Sequence, residues 1–95
     1  MANELFNVAG KVVVMTGGAG VLGKGISKYL AAQGAKMVVL DRSEEAGKAL
    51  VDEIVAQGHE ATFLYTDVMN KEVLEQNKKD ILEKYGRIDV LLNAA

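Results

Sequence analysis

Three glycines, Gly18, Gly20 and Gly23, stand in G-x-G-x-x-G spacing within Thr16-Gly-Gly-Ala-Gly-Val-Leu-Gly23. That spacing suits one kind of chemistry, the cradling of a phosphate by bare backbone. Missing Cβ atoms let the chain turn tightly and let a pyrophosphate approach the main chain. The run before the glycines, Lys11-Val-Val-Val-Met15, reads as a strand, and the run after them reads as a helix. A helix starting there aims its unpaired N–H groups and positive dipole end at the anion. Alone, the spacing is served equally well by a flexible turn whose glycines serve packing. Context separates the two. Asp41 closes the next apolar run, residues 36–40, eighteen positions past Gly23. A carboxylate there is placed to accept hydrogen bonds from an adenosine ribose. Strand, glycine loop, helix and acid, in that order, point to dinucleotide binding.

Other reactive side chains are sparse. The chain has no cysteine, which excludes disulfide and thiolate chemistry and fits a reducing, cytoplasmic setting. His59 is the sole histidine; it follows Gly58 and reads as a solvated loop residue rather than a base or ligand. No residues cluster at metal-ligand spacing, so no metal site is expected. Ser27 and Ser43 are the only serines, one inside a predicted helix and one at a predicted cap.

The elements that must hold the loop and the acid follow from the pattern of apolar residues. Leu22, Ile26, Leu30 and Ala31 recur at helical spacing and Gly34 ends that helix. Residues 36–40 are nearly all apolar, as in a parallel strand covered on both faces. Ser43 is a predicted N-cap, with Glu44 and Glu45 in the first turn. The stripe Ala46, Leu50, Val51, Ile54 and Val55 continues that second helix to Gln57-Gly58, and a third strand covers 61–65. Asn70 is the predicted cap of a third helix with stripe Val73, Leu74, Ile81, Leu82 and Tyr85, closed by Gly86, and 88–92 form a fourth strand. Alternation of this kind gives right-handed βαβ units. The prediction is an α/β, Rossmann-type parallel sheet, βαβαβαβ, in order 3-2-1-4, with the glycine loop at the reversal between strands 1 and 4.

Composition agrees. Ninety-five residues, 49% apolar and 25% charged, make one small globular domain spanning 1–95. A net charge of −2 without a basic cluster argues against nucleic-acid binding. The first six residues lack the basic start and apolar segment of a signal peptide, and no run of ~18 apolar residues predicts a membrane span. The order of elements is half of a doubly wound fold, which reads as an N-terminal fragment of a longer chain or a truncated product. Val90, Leu91 and Leu92 would then lie on an open edge, and self-association through that edge is expected.

Four features together resemble the short-chain dehydrogenases/reductases over essentially the whole chain. They are Thr16-Gly17 with Gly23 after the first strand, Asp41 after the second, Asp67-Val68 after the third, and Ile88-Asp-Val-Leu-Leu-Asn93-Ala94-Ala95 at the fourth. The family pattern T-G-x-x-x-G-x-G holds except that Val21 occupies the middle glycine position, with Gly20 just before it. The family's N-N-A-G appears as Asn93-Ala94-Ala95. The loop wording looks most like the branch that interconverts fructuronate and mannonate.

The resemblance implies roles for residues. Gly17, Ala19, Gly20 and Leu22 would line the pyrophosphate and adjoining ribose. Asp41 would take the adenosine ribose hydroxyls and repel a 2′-phosphate, favouring NAD over NADP, whereas Arg42 beside it pulls towards NADP. Asp67 and Val68 would meet the adenine, and Asn93 and Ala94 the ribose on the nicotinamide side. The alternatives are that Asp67 is a helix-entry or turn residue and that Asn93 satisfies neighbouring backbone. Members of the family pass a hydride between nicotinamide and an alcohol or ketone, with a Tyr-x-x-x-Lys pair handling the proton. Here Tyr29, Tyr65 and Tyr85 are followed four positions on by Gln33, Met69 and Asp89, so no catalytic residue is expected. Two readings remain. One is the cofactor-binding part of an oxidoreductase acting on a small-molecule substrate such as a sugar acid. The other is a stand-alone nucleotide-binding module without catalysis. A Rossmann-type methyltransferase is set aside by Thr16-Gly17, Asp67-Val68 and Asn93.

Overall fold

Val12, Val13, Val14 and Met15 are each no more than 2% exposed, so both faces of the first strand are covered. Only an interior position in a sheet with helices on both sides satisfies such a strand. The computed structural model, which describes residues 7–94, has that architecture. The first six residues and Ala95, read above for a leader and for the fourth-strand motif, lie outside the described residues. The elements run β1 (Val12–Thr16), α1 (Val21–Ala32), β2 (Lys36–Asp41), α2 (Glu44–Ala56), β3 (Ala61–Tyr65), α3 (Lys71–Tyr85) and β4 (Val90–Asn93). All pairings are parallel and the order is β3-β2-β1-β4, as the sequence predicts. Strand ends differ from the sequence reading by a residue or two: β1 extends to Thr16, and β4 starts at Val90.

Alternation along the strands divides the core in two. Val13, Met15, Met37 and Val39 pack with Ala31 of α1 and with Leu50 and Ile54 of α2. Val12, Val14, Val38 and Leu40 pack on the other face with Ile81 of α3. The two layers meet only through the sheet, so the crossover direction reverses at β1, between β2 and β4.

Capping chemistry explains where α2 and α3 start. Ser43 Oγ accepts from Ala46 N–H at 3.2 Å. Asn70 Oδ1 accepts from the N–H groups of Glu72 and Val73 at 3.1 and 3.3 Å. Gly86 ends α3 with φ of +76°, a conformation other residues rarely adopt.

Two apolar stripes differ from the sequence reading. Leu22 is 65% exposed, and the buried line of α1 runs through Gly23, Ser27 and Ala31 instead. The physical reason is proximity. The helix starts so close to the glycine loop that only small residues fit against it. On α3, Leu82 turns outward and the buried positions are Asn77 and Ile81.

At the opposite end of the sheet, Asp89 ties β4 to β1. Its Oδ2 accepts from Val12 N–H at 2.8 Å, and its Oδ1 accepts from Arg87 Nε and Nη2 at 2.9 and 2.6 Å. The Arg87 guanidinium, aided by the Val12 amide, holds the carboxyl below the usual carboxylate range. A lowered carboxyl pKa stabilises the fold above the unfolded-state value and ceases to do so as pH falls through the folded value. Asp89→Asn is therefore expected to lower the urea midpoint at neutral pH, with the gap to the parent chain narrowing towards about pH 3. An equal gap at both pH values would contradict this role for the charge.

Candidate functional site

The site forms at the C-terminal ends of the strands, where the crossover direction reverses. Beyond Thr16, Gly17 takes φ of +70°, which a side chain would strain. This turn directs the N–H groups of Gly17 and Gly18 to Leu40 O, at 2.8 and 3.3 Å. The loop is thereby sewn to the last residue of β2 before Asp41. One residue on, Asp41 Oδ2 accepts from Ala19 N–H at 3.1 Å, while Oδ1 accepts from Ser43 N–H at 2.9 Å. A carboxylate has about four lone-pair sites, so two acceptor positions remain after these bonds.

Gly23 is set by packing. A Cβ there would fall inside contact distance of Gly17 O and 2.8 Å from Gly18 Cα. The close approach brings the start of α1 onto the loop. Its N-cap is Gly20, with no capping side chain and no acid in the first turn. By contrast, α2 and α3 have Ser43 and Asn70 as caps and carry first-turn glutamates. The first-turn amides of α1 thus have no side chain competing with an anion.

A cleft of about 270 Å³ opens beside this loop, lined by Gly17, Gly20, Leu40, Asp41, Arg42, Thr66, Val68 and Ala94. The structure therefore gathers Gly17, Gly20, Asp41, Arg42, Val68 and Ala94, all named from sequence, around one space. The other candidates lie outside its lining. Ala19 touches the site through its N–H on Asp41. Leu22 projects from the first turn of α1. Asp67 Oδ1 accepts from Met69 N–H at 3.0 Å, and its carbonyl accepts from Asn70 N–H at 2.8 Å, which is the work of a turn residue. Asn93 is in register with Thr16, whose hydroxyl lies 3.0 Å from Asn93 Oδ1 and 3.3 Å from Leu92 O. Ala94 continues the ladder, its N–H donating to Thr16 O at 2.9 Å.

Sequence reasoning missed Leu40 and Thr66. Each immediately precedes an acid that it did single out. Among the described residues, no group of three His, Cys, Asp or Glu side chains is placed to hold a metal ion. No described helix is long and apolar enough to cross a membrane.

Chemically, the arrangement offers the first-turn amides of α1 for a negatively charged group and, bonded to the same loop, the Asp41 carboxylate as an acceptor for hydroxyls. Leu40, Val68 and Ala94 give the cleft apolar surface. The family model for short chain dehydrogenase matches residues 11–95. An uncharacterized oxidoreductase, UxuB, of Bacillus subtilis is 44% identical over 89 residues, covering 94% of this chain and 32% of the relative. A D-mannonate oxidoreductase of Haemophilus influenza with bound NAD superposes with a TM-score of 0.85 at 30% identity, over 90% of this chain and 30% of that one. A metagenomic short-chain oxidoreductase in complex with NADP gives 0.84 at 33% identity, over 90% of this chain and 38% of that one. The chain thus spans about a third of the length of the proteins it matches. With the glycine loop, the strand order and a family match over residues 11–95, the chain belongs to the short chain dehydrogenase family.

Proposed function

We propose that residues 1–95 are the dinucleotide-binding domain of an NAD-dependent oxidoreductase that interconverts an alcohol and a ketone. One observation carries this reading: the Asp41 carboxylate bonds directly to the glycine loop and lines the same cleft as Gly17 and Gly20. The residues present fit a nicotinamide dinucleotide. The uncapped first turn of α1 suits a pyrophosphate, and the free lone pairs of Asp41 suit a ribose. Leu40, Val68 and Ala94 offer an adenine ring apolar surface. At about 270 Å³ the cleft is near the lower end of ligand pockets, roughly 300–1,000 Å³, which suits the adenosine half. Asp67 would meet the exocyclic amine through a remaining lone pair, and Ala19 and Leu22 would flank the pyrophosphate. Asn93 would meet the ribose on the nicotinamide side. When bound, the cofactor supplies a hydride-accepting ring.

NAD is favoured over NADP because Asp41 would face the 2′-phosphate. Like charges about 4 Å apart cost roughly 1 kcal/mol in water and more in a cleft, or about tenfold in affinity. Arg42, also in the lining, offsets part of this. The proposed substrate is a sugar acid of the mannonate and fructuronate type. Its support is the wording of the loop and the likeness to an NAD-bound D-mannonate oxidoreductase. No Tyr-x-x-x-Lys occurs in these 95 residues, so the chain by itself is expected to bind without turnover.

Calorimetry with NAD, NADP and AMP tests this reading, followed by an assay for NADH with mannonate. Binding of NAD and AMP is expected, with NADP about tenfold weaker and no NADH formed. Absence of heat with both NAD and AMP would remove the function. Steady NADH production would contradict the inactivity of the isolated chain.

A further inference from the structure

Asn77 is one of two buried residues on α3, at 6% exposure, yet its partner in that layer, Ile81, is apolar. A buried carboxamide is costly unless its polar atoms are paired. Here Nδ2 donates to Tyr65 O at 3.2 Å and also to Thr66 Oγ1. Thr66 is itself buried, and its own N–H donates to Asp41 O at 2.9 Å. Its hydroxyl donates to Leu64 O at 3.3 Å. A chain of directional bonds therefore runs from the middle of α3, across the end of β3, to the residue of β2 that grips the glycine loop. Thr66, Asp41 and Val68 all line the cleft.

We propose that Asn77 is a positioning residue for the adenosine end of this cleft, an inference that rests on the dinucleotide reading above. It acts through Thr66 and touches no ligand. Two consequences follow. The last residue of β3 and the turn that carries Val68 are fixed relative to Asp41, because a hydrogen bond sets direction where an apolar contact sets only distance. The Thr66 hydroxyl also gives its proton to Leu64 O and a lone pair to Asn77, so it presents no competing donor to the cleft. The wall offered to a purine stays apolar, and the ligand class it selects is an adenosine nucleotide.

The test compares AMP, NAD and inorganic pyrophosphate on the 95-residue chain, alongside urea midpoints. Asn77→Leu keeps the approximate volume and removes both bonds. AMP and NAD affinity are expected to fall together by about tenfold while pyrophosphate affinity holds, since its amides lie on the other side of Asp41. Thr66→Val, which leaves the bond to Tyr65 O, is expected to cost AMP about threefold. The double variant is expected to match Asn77→Leu in affinity, because the two residues act in series. A lowered midpoint with AMP affinity unchanged in both single variants would overturn the proposal and leave Asn77 a structural anchor only. So would equal losses for AMP and pyrophosphate. Should Asn77→Leu fail to fold, the Thr66→Val result decides alone. A parent chain that binds neither AMP nor NAD would instead overturn the dinucleotide reading itself, and this inference with it.

Discussion

Asp41→Ala is expected to weaken NAD binding by about a hundredfold, as measured by calorimetry. Two effects add. Hydrogen bonds from ribose hydroxyls to an ionised acceptor contribute roughly 1.5–3 kcal/mol each, and these vanish with the carboxylate. The same change strips Ala19 N–H of its acceptor, so the loop loses the bond that fixes it against β2. Asp41→Asn separates charge from shape. It keeps an acceptor near Ala19 but removes the negative charge, so the preference for NAD over NADP is expected to shrink by about tenfold. Arg42, in the same lining, is then left to meet a 2′-phosphate. Unaltered NAD affinity in both variants would take the carboxylate out of the site.

Gly23→Ala is expected to damage both stability and binding. On propensity alone, alanine in a helix is favoured over glycine by about 1 kcal/mol. Here the added Cβ falls on Gly17 O and within 2.8 Å of Gly18 Cα, and neither is the end of a flexible side chain. Either α1 lifts from the sheet or the loop moves out of the position that sets Asp41. Overpacking of this sort costs about 1–3 kcal/mol, and NAD affinity is expected to fall more than tenfold because the anion site is the part displaced. Gly25→Ala is the internal control, since a Cβ there meets nothing within 4 Å. It is expected to raise stability by about 0.5–1 kcal/mol and leave binding unchanged. Urea midpoints for the pair decide the matter: equal stability of the two variants would mean that Gly23 is not set by packing.

Most of the fold was legible because its signals are local and repeated. Runs such as 12–15 and 37–40 are apolar at every position, which only a sheet covered on both faces accommodates. Ser43, Asn70 and Gly86 mark helix ends through side-chain or backbone chemistry that needs no tertiary knowledge. The acid at 41 was legible for the same reason, since it ends a strand next to the one that ends in glycines. What escaped depends on neighbours distant in sequence. Leu22 looked like core because its spacing matched Ile26 and Leu30. The close approach of α1 to Gly17 moved the buried line onto Gly23, Ser27 and Ala31. Asn77 carries no local signal of its burial, since its partners lie eleven and twelve positions away at the end of β3.

The open side of β4 follows from the topology. Leu91 is 68% exposed on a strand that pairs only with β1 among the described strands. Edges of this kind invite pairing with another strand.

Amide spectra of the nitrogen-labelled chain during titration with NAD test the central claim most directly. The account predicts that the backbone signals of Ala19, Val21, Leu22 and Gly23 shift in step with that of Ser43, which shares Asp41 with the loop. Saturating NAD that moves signals elsewhere, or none, while these five stay still would contradict it.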